Sequence, residues 1–149
     1  MARYQQGRFQ PRNPKKYKGN PCGIIYRSSW ELNFFSRLDN DPNVIQWASE
    51  EIAIPYLGID GKRHRYFPDL WIKTKSADGK INEMLVEIKP NAQSIPPTKK
   101  ANNAKANRRY INEAITYETN SRKWAAAEAL CKAKGWVFKV VGEKELGLK

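Results

Sequence analysis

Two runs in which polar and apolar residues alternate, 64–74 and 82–89, flank Ser76-Ala77-Asp78-Gly79-Lys80, and this arrangement restricts the fold more than any other feature of the chain. An Asp-Gly pair between alternating runs is a strong hairpin signal, so the two strands are expected as antiparallel neighbours. Pairing then decides which side chains share a face, because a slip of one residue moves every side chain to the other side. With a plain two-residue turn at Asp78-Gly79, paired residue numbers would total 157 and Asp69 would lie opposite Ile88. With an odd number of loop residues, or a bulge, the total is 156 and Asp69 faces Glu87. Opposed carboxylates repel each other unless a cation lies between them, and such a pair suits a hard, oxygen-seeking ion such as Mg²⁺. A metal site therefore demands the second register.

Glu87 and Lys89 stand two apart on their strand, so both leave the same face about 6.6 to 7 Å apart, while Met84, Val86 and Ile88 take the other. Alone, these two would be no more than a solvated sheet surface. Asp69 opposite Glu87 is what adds chemistry.

Upstream, Trp30, Phe34, Phe35 and Leu38 recur at spacings of three and four and predict a helix over 28–39. Glu31 lies about 20° from Leu38 and about 40° from Phe35 on that helix, so it points with the apolar stripe. Ser28-x-x-Glu31 is equally a capping box, in which Glu31 has no other role. Residues 47–57, with Ile52, Ile54 and Tyr56 in alternation, predict a strand ending near Pro55, and 58–61 turns the chain. Beyond Pro90 a polar loop leads to a helix from 99 or 101 to 117. One arc of it carries Tyr110, Ile111, Ala114, Ile115 and Tyr117. The other carries Lys105, Arg108 and Arg109, either an ordinary solvated face or a grip for phosphates. A further helix is expected from Asn120-Ser121 to a C-cap at Gly135, then a short buried strand over 136–141. Helix, strand, hairpin, helices and strand in that order make an α/β fold with a mixed sheet.

A chain of 149 residues suits one domain. Residues 1–23 hold Pro11, Pro14, Pro21 and three glycines among many cations, and are expected as an extended basic arm ahead of a domain over 24–149. The arm is read as a disordered tail or a strap along a partner. A formal charge of +12 selects a polyanion as partner without selecting a reaction. Cys22 and Cys131 show no zinc or disulfide spacing, and neither a secretory signal nor a segment of transmembrane length is present.

Pro68-Asp69 and Glu87-Ile88-Lys89 resemble the signature of the PD-(D/E)xK nucleases, and a helix carrying Glu31 before the first strand is similar to that superfamily's αβββαβ core. Tyr26-Arg27-Ser28-Ser29-Trp30-Glu31, Ile54-Pro55-Tyr56, Arg65-Tyr66-Phe67-Pro68-Asp69-Leu70-Trp71, Val86-Glu87-Ile88-Lys89-Pro90, Tyr110-Ile111-Asn112-Glu113 and Lys123-Trp124-Ala125-Ala126-Ala127 resemble the head-completion nucleases of T-even-type tailed phages. The likeness runs from about Tyr17 to the end of the chain and is weakest in the N-terminal arm. It implies an endo- and exonuclease acting on double-stranded DNA packaged in phage heads before tails are joined. Its partners would be head, portal or neck proteins and no membrane, and its place the host cytoplasm during assembly, with association with the virion. It also moves Glu31 from capping toward the metal site.

Under this reading Asp69, Glu87 and Glu31 hold Mg²⁺, or Mn²⁺ in its place, and Lys89 steadies the attacking water and the charge building on phosphorus. Arg65, Lys99, Lys100, Lys105, Arg108 and Arg109 are the DNA-binding candidates. For Arg65 the other reading is an ion pair with a neighbouring acid. Tyr66 is expected in the core, His64 on an exposed strand, and the five tryptophans in packing. A structural plug of the head or neck, or a noncatalytic DNA-binding module, is the competing function; neither needs intact Asp69, Glu87 and Lys89.

Overall fold

The computed structural model describes residues 6–89, 96–98 and 101–142. Its centre is a four-stranded mixed sheet in the order β3 (Val44–Ser49), β6 (Leu70–Lys75), β7 (Ile81–Ile88), β8 (Val137–Val141). The first three strands run antiparallel and β8 lies parallel to β7. A parallel neighbour needs a long crossover, supplied here by α2 (Ala104–Lys134). With α1 (Ser29–Asn40) ahead of β3, the elements follow the αβββαβ order. A two-stranded ribbon, β4 (Ile54–Leu57) with β5 (Arg63–Tyr66), is inserted between β3 and β6.

The hairpin register is the one that brings Asp69 to Glu87. Leu70 pairs with Val86, Trp71 with Leu85 and so on to Lys75 with Ile81, every pair totalling 156. Ser76 and Lys80 close the loop, the Gly79 amide bonds Ser76 at 2.9 Å, and Gly79 takes φ +85°. Three residues thus separate the last bonded pair, ending in a glycine whose left-handed backbone other residues adopt at a cost.

One face of the sheet carries Trp47, which contacts Phe9, Tyr17 and Phe35 at ring-centroid distances of 5.8, 4.8 and 5.3 Å. The opposite face carries Trp71, Leu85 and Glu87, the side on which Ala127 and Cys131 of α2 are buried. The result is three layers, with α1 and α2 on opposite faces.

Four expectations change. Residues 6–23 are not a free arm. Gly7–Arg8 (β1) pairs with Ile25–Tyr26 (β2), and Phe9 and Tyr17 enter the core, so packing does not divide the chain at residue 23. Asp39, 1% exposed, accepts the backbone N–H groups of Arg12 and Asn13, and Lys16 Nζ donates to the carbonyls of Leu38, Asp39 and Asp41 at the C-terminus of α1. The Lys16 ammonium, one of the arm's cations, thus satisfies the open end of a helix. Second, the strand expected over 47–57 is two strands: Glu50 has φ +53°, which ends β3 and turns the chain out to the ribbon. The run 64–74 divides likewise into β5 and β6, interrupted at Phe67-Pro68-Asp69. Third, the two late helices are one. Asn120 and Ser121 do not begin a new helix, since Ser121 Oγ donates to the Tyr117 carbonyl one turn back and Asn120 is buried. Fourth, β8 is an edge strand and only partly buried, with Val137 49% exposed.

Candidate functional site

Asp69 stands just before β6 and Glu87 near the end of β7, so the strand register brings them together at one end of the sheet, on the α2 face. Asp69 Oδ2 accepts the Ile88 N–H at 2.7 Å, and its carbonyl accepts the Glu50 N–H. Because β6 begins only at Leu70, the Ile88 N–H at the end of β7 is taken by the Asp69 carboxylate, which fixes that side chain beside Glu87. Glu87 is 5% exposed; its Oε2 accepts the Tyr66 hydroxyl at 2.5 Å and its Oε1 lies 3.6 Å from Lys89 Nζ.

Burial first, then the charge of Glu87, push the Asp69 carboxyl up to about 7, and Glu31 adds to this while the Ile88 amide and Lys89 oppose it. Burial also raises Glu87, against the Tyr66 hydrogen bond and the positive fields of Lys89 and Lys123. A half-buried and a buried carboxylate, each with its proton affinity raised, form a donor set that suits a hard divalent cation, which offsets the charge of the pair and supplies what desolvation removed.

Glu31 is placed differently from the pair. Ser28 caps α1 by accepting the Glu31 N–H at 3.2 Å, so half of the capping box forms. Burial raises the Glu31 carboxyl, and its field reaches Asp69. Yet among the described residues no three Asp, Glu, His or Cys side chains are grouped closely enough to hold a metal ion. Glu31 thus stands on the helix of the opposite layer, near Asp69 but not gathered with the pair.

Two site residues escaped the sequence reading. Tyr66 is in the core as expected, yet its hydroxyl is spent on Glu87. Lys123, from the middle of α2, holds its ammonium 5.9 Å from the Tyr56 ring centroid and 5.8 Å from that of Tyr66, and its charge bears on Glu87. Neither has a local signal: Tyr66 reaches Glu87 from another element, and Lys123 depends on a helix packing across the sheet.

The DNA-binding candidates divide. Arg65 is exposed and has its guanidinium 5.8 Å from the Phe67 ring centroid, with no acid partner among the described residues. Lys105, Arg108 and Arg109 lie in the first turns of α2, where Arg109 pairs with Glu113 at 3.2 Å, so that cluster is not free of acid. Lys105, Arg109 and Glu113 also line a surface depression of about 190 Å³. Lys99 and Lys100 lie outside the described residues. His64 is exposed and bonded to Asp60.

The family described as TnsA-like endonuclease N terminal matches residues 41–143, a span that contains β3 through β8 and therefore Asp69, Glu87, Lys89, Tyr66 and Lys123. The chain is also 40% identical over 148 residues to the head completion nuclease of Enterobacteria phage T4, with 96% of each chain covered. That alignment leaves out almost none of the chain, and so includes the N-terminal segment. A mixed sheet in αβββαβ order, with the acids of the signature brought together on it, is the fold both likenesses call for. The chain belongs to the head-completion nucleases of T-even-type phages, within the PD-(D/E)xK nuclease superfamily.

Proposed function

We propose that this protein is a metal-dependent DNA nuclease of phage head completion, hydrolysing phosphodiester bonds as both endo- and exonuclease with Mg²⁺ or Mn²⁺. The observation that carries the reading is the register that brings half-buried Asp69 against buried Glu87, whose charge helps to raise the Asp69 carboxyl, beside Lys89. Asp69 and Glu87 would hold the divalent ion, with Glu31 acting from the neighbouring helix through its field or through intervening water. When bound, the ion polarises the phosphodiester and makes its water a better nucleophile.

The chain's own groups do the rest. Tyr66 fixes one oxygen of Glu87 and leaves the other facing Lys89. Lys89 orients the attacking water and offsets the charge growing on phosphorus. Lys123, over the Tyr66 ring, adds a second positive charge that bears on Glu87. Arg65, Lys105, Arg108 and Arg109, with Lys99 and Lys100, would hold the duplex by its phosphates. No base-reading motif accompanies them, so little sequence preference is expected. The partners would be duplex DNA and head, portal or neck proteins, met in the host cytoplasm during assembly and in association with the virion. Among the described residues no helix is long and apolar enough to cross a membrane.

The test is incubation of supercoiled and linear duplex with Mg²⁺ or with EDTA, beside Asp69→Asn. Cleavage that needs Mg²⁺ and Asp69 supports the reading; binding without metal-dependent cleavage points instead to a plug or a binding module.

A further inference from the structure

The β4–β5 ribbon has two unlike faces. Its register pairs Ile54 with Tyr66, Pro55 with Arg65, Tyr56 with His64 and Leu57 with Arg63, so alternate pairs share a side. Ile54, Tyr56, Tyr66 and His64 form the inner side: Ile54 and Tyr66 are buried, and Tyr56 stacks on His64 at 5.6 Å. Pro55, Leu57, Arg63 and Arg65 form the outer side, and all four are exposed. The ribbon is held in place, since Tyr66 donates to Glu87 and Arg122 of α2 donates to the Leu57 carbonyl at 3.3 Å.

The outer side is a surface without an internal purpose. Arg63 and Arg65 make no ion pair among the described residues, and Asp60, the acid of the ribbon's turn, is engaged by His64. Arg65 is braced on Phe67, itself 42% exposed. Two residues after Phe67 comes Asp69, a chain span of at most about 7 Å. The outer arginines are themselves about 6.8 Å apart along the strand, close to two base-pair rises of a duplex. Guanidinium groups without acids, one of them pre-oriented on an aromatic ring, are suited to phosphate oxygens.

We propose that the outer face of the β4–β5 ribbon binds the DNA backbone, with Arg63 and Arg65 on phosphates two steps apart along the strand that enters the Asp69–Glu87 pair. This rests on the nuclease reading for its substrate, but its test does not depend on cleavage. Phe67 braces the Arg65 guanidinium and stands two residues before Asp69, so the outer face of the ribbon leads along the chain into the acid pair. The contacts are to backbone and carry no base information.

The experiment measures binding of the full-length protein to a labelled duplex by fluorescence anisotropy in EDTA, over 50–200 mM salt. Arg63→Gln with Arg65→Gln should bind about tenfold more weakly at 100 mM salt and lower the log–log salt slope by about 1.8, the loss of two phosphate contacts. Arg63→Lys with Arg65→Lys should keep most of the slope. The charge-matched control is Lys75→Gln with Lys80→Gln, two exposed positions at the opposite end of the β6–β7 hairpin, which should leave the slope as it is. Thermal midpoints equal to that of the parent confirm that each variant is folded. An unchanged slope in the arginine pair, or an equal loss in the lysine control, overturns the proposal. A parent protein that binds with the full slope yet cuts nothing in Mg²⁺ would sink the nuclease reading and leave the ribbon standing.

Discussion

The Tyr66 hydroxyl donates to Glu87 across 21 residues of sequence, from the last residue of the inserted ribbon to the seventh of a core strand. It ties the ribbon to the acid pair. Burial and the adjacent negative charge of Glu87 hold this phenol in its protonated, donating form far above ordinary pH.

Tyr66→Phe should therefore disturb the site more than the core. The ring still fills its place, but Glu87 loses the group that fixes Oε2. The Mg²⁺ concentration for half-maximal cleavage should rise about 10- to 100-fold, as it does when an outer partner of a metal ligand is removed. A titration of cleavage rate against Mg²⁺ measures it, and an unchanged midpoint would show the hydrogen bond to be structural only.

Asp69→Asn should separate stability from activity. It removes a half-buried charge that repels Glu87, so in EDTA at pH 8 the variant should melt a few degrees above the parent, on the scale of about 1 to 2 kcal/mol. Cleavage should fall at least about 100-fold. Adding Mg²⁺ should raise the melting temperature of the parent and not of the variant, which differential scanning fluorimetry reads directly.

Lys123→Met keeps the apolar stem against Tyr56 and Tyr66 and deletes only the charge. Single-turnover cleavage should slow about 10- to 100-fold with the melting temperature held within a few degrees. Loss of fold without a kinetic defect in the surviving protein would assign Lys123 to packing.

Lys105→Glu with Arg109→Glu should weaken duplex binding across sequences and flatten its salt dependence. Because Arg109 already spends part of its charge on Glu113, the slope should change by less than about 1.8, the full value for two contacts. Anisotropy titrations at several salt concentrations check this.

Tyr17 gives a stability change at alkaline pH. Burial, chiefly, and then the neighbouring Glu51 and Glu50 push its phenol up to about 12 from the usual 10. The unfolded chain therefore loses its proton first, so the contribution is whole below pH 10 and is lost as pH rises through 12. By pH 11 the parent should lose about 1.4 kcal/mol relative to Tyr17→Phe. Urea unfolding of both proteins at pH 9 and pH 11 supplies the comparison.

The legible part of the fold was whatever depends on period and parity. The demand that Asp69 oppose Glu87 predicted an odd loop, and Ser76 to Lys80 supplies one. What a backbone does at one residue was hidden: Glu50 adopts a left-handed conformation with no glycine to announce it. Asn120-Ser121 reads as a helix start by composition, but burial of Asn120 and the Ser121 bond to Tyr117 keep the helix continuous. Phe9 and Tyr17 are isolated aromatics among prolines and cations, and only the Trp47 surface they cover gives them a core. At the site, Glu87 with Lys89 could be read within one strand, whereas Tyr66 and Lys123 arrive through packing between elements.

The unbroken course of α2 makes it a ruler. Lys105 and Lys123 ride one rigid rod about 27 Å apart, the axial length of about eight base pairs. A jointed pair of helices would let that interval vary with each encounter. Here a nucleic acid gripped at the far end of the rod would meet the end beside Glu87 at a constant offset, whatever its sequence.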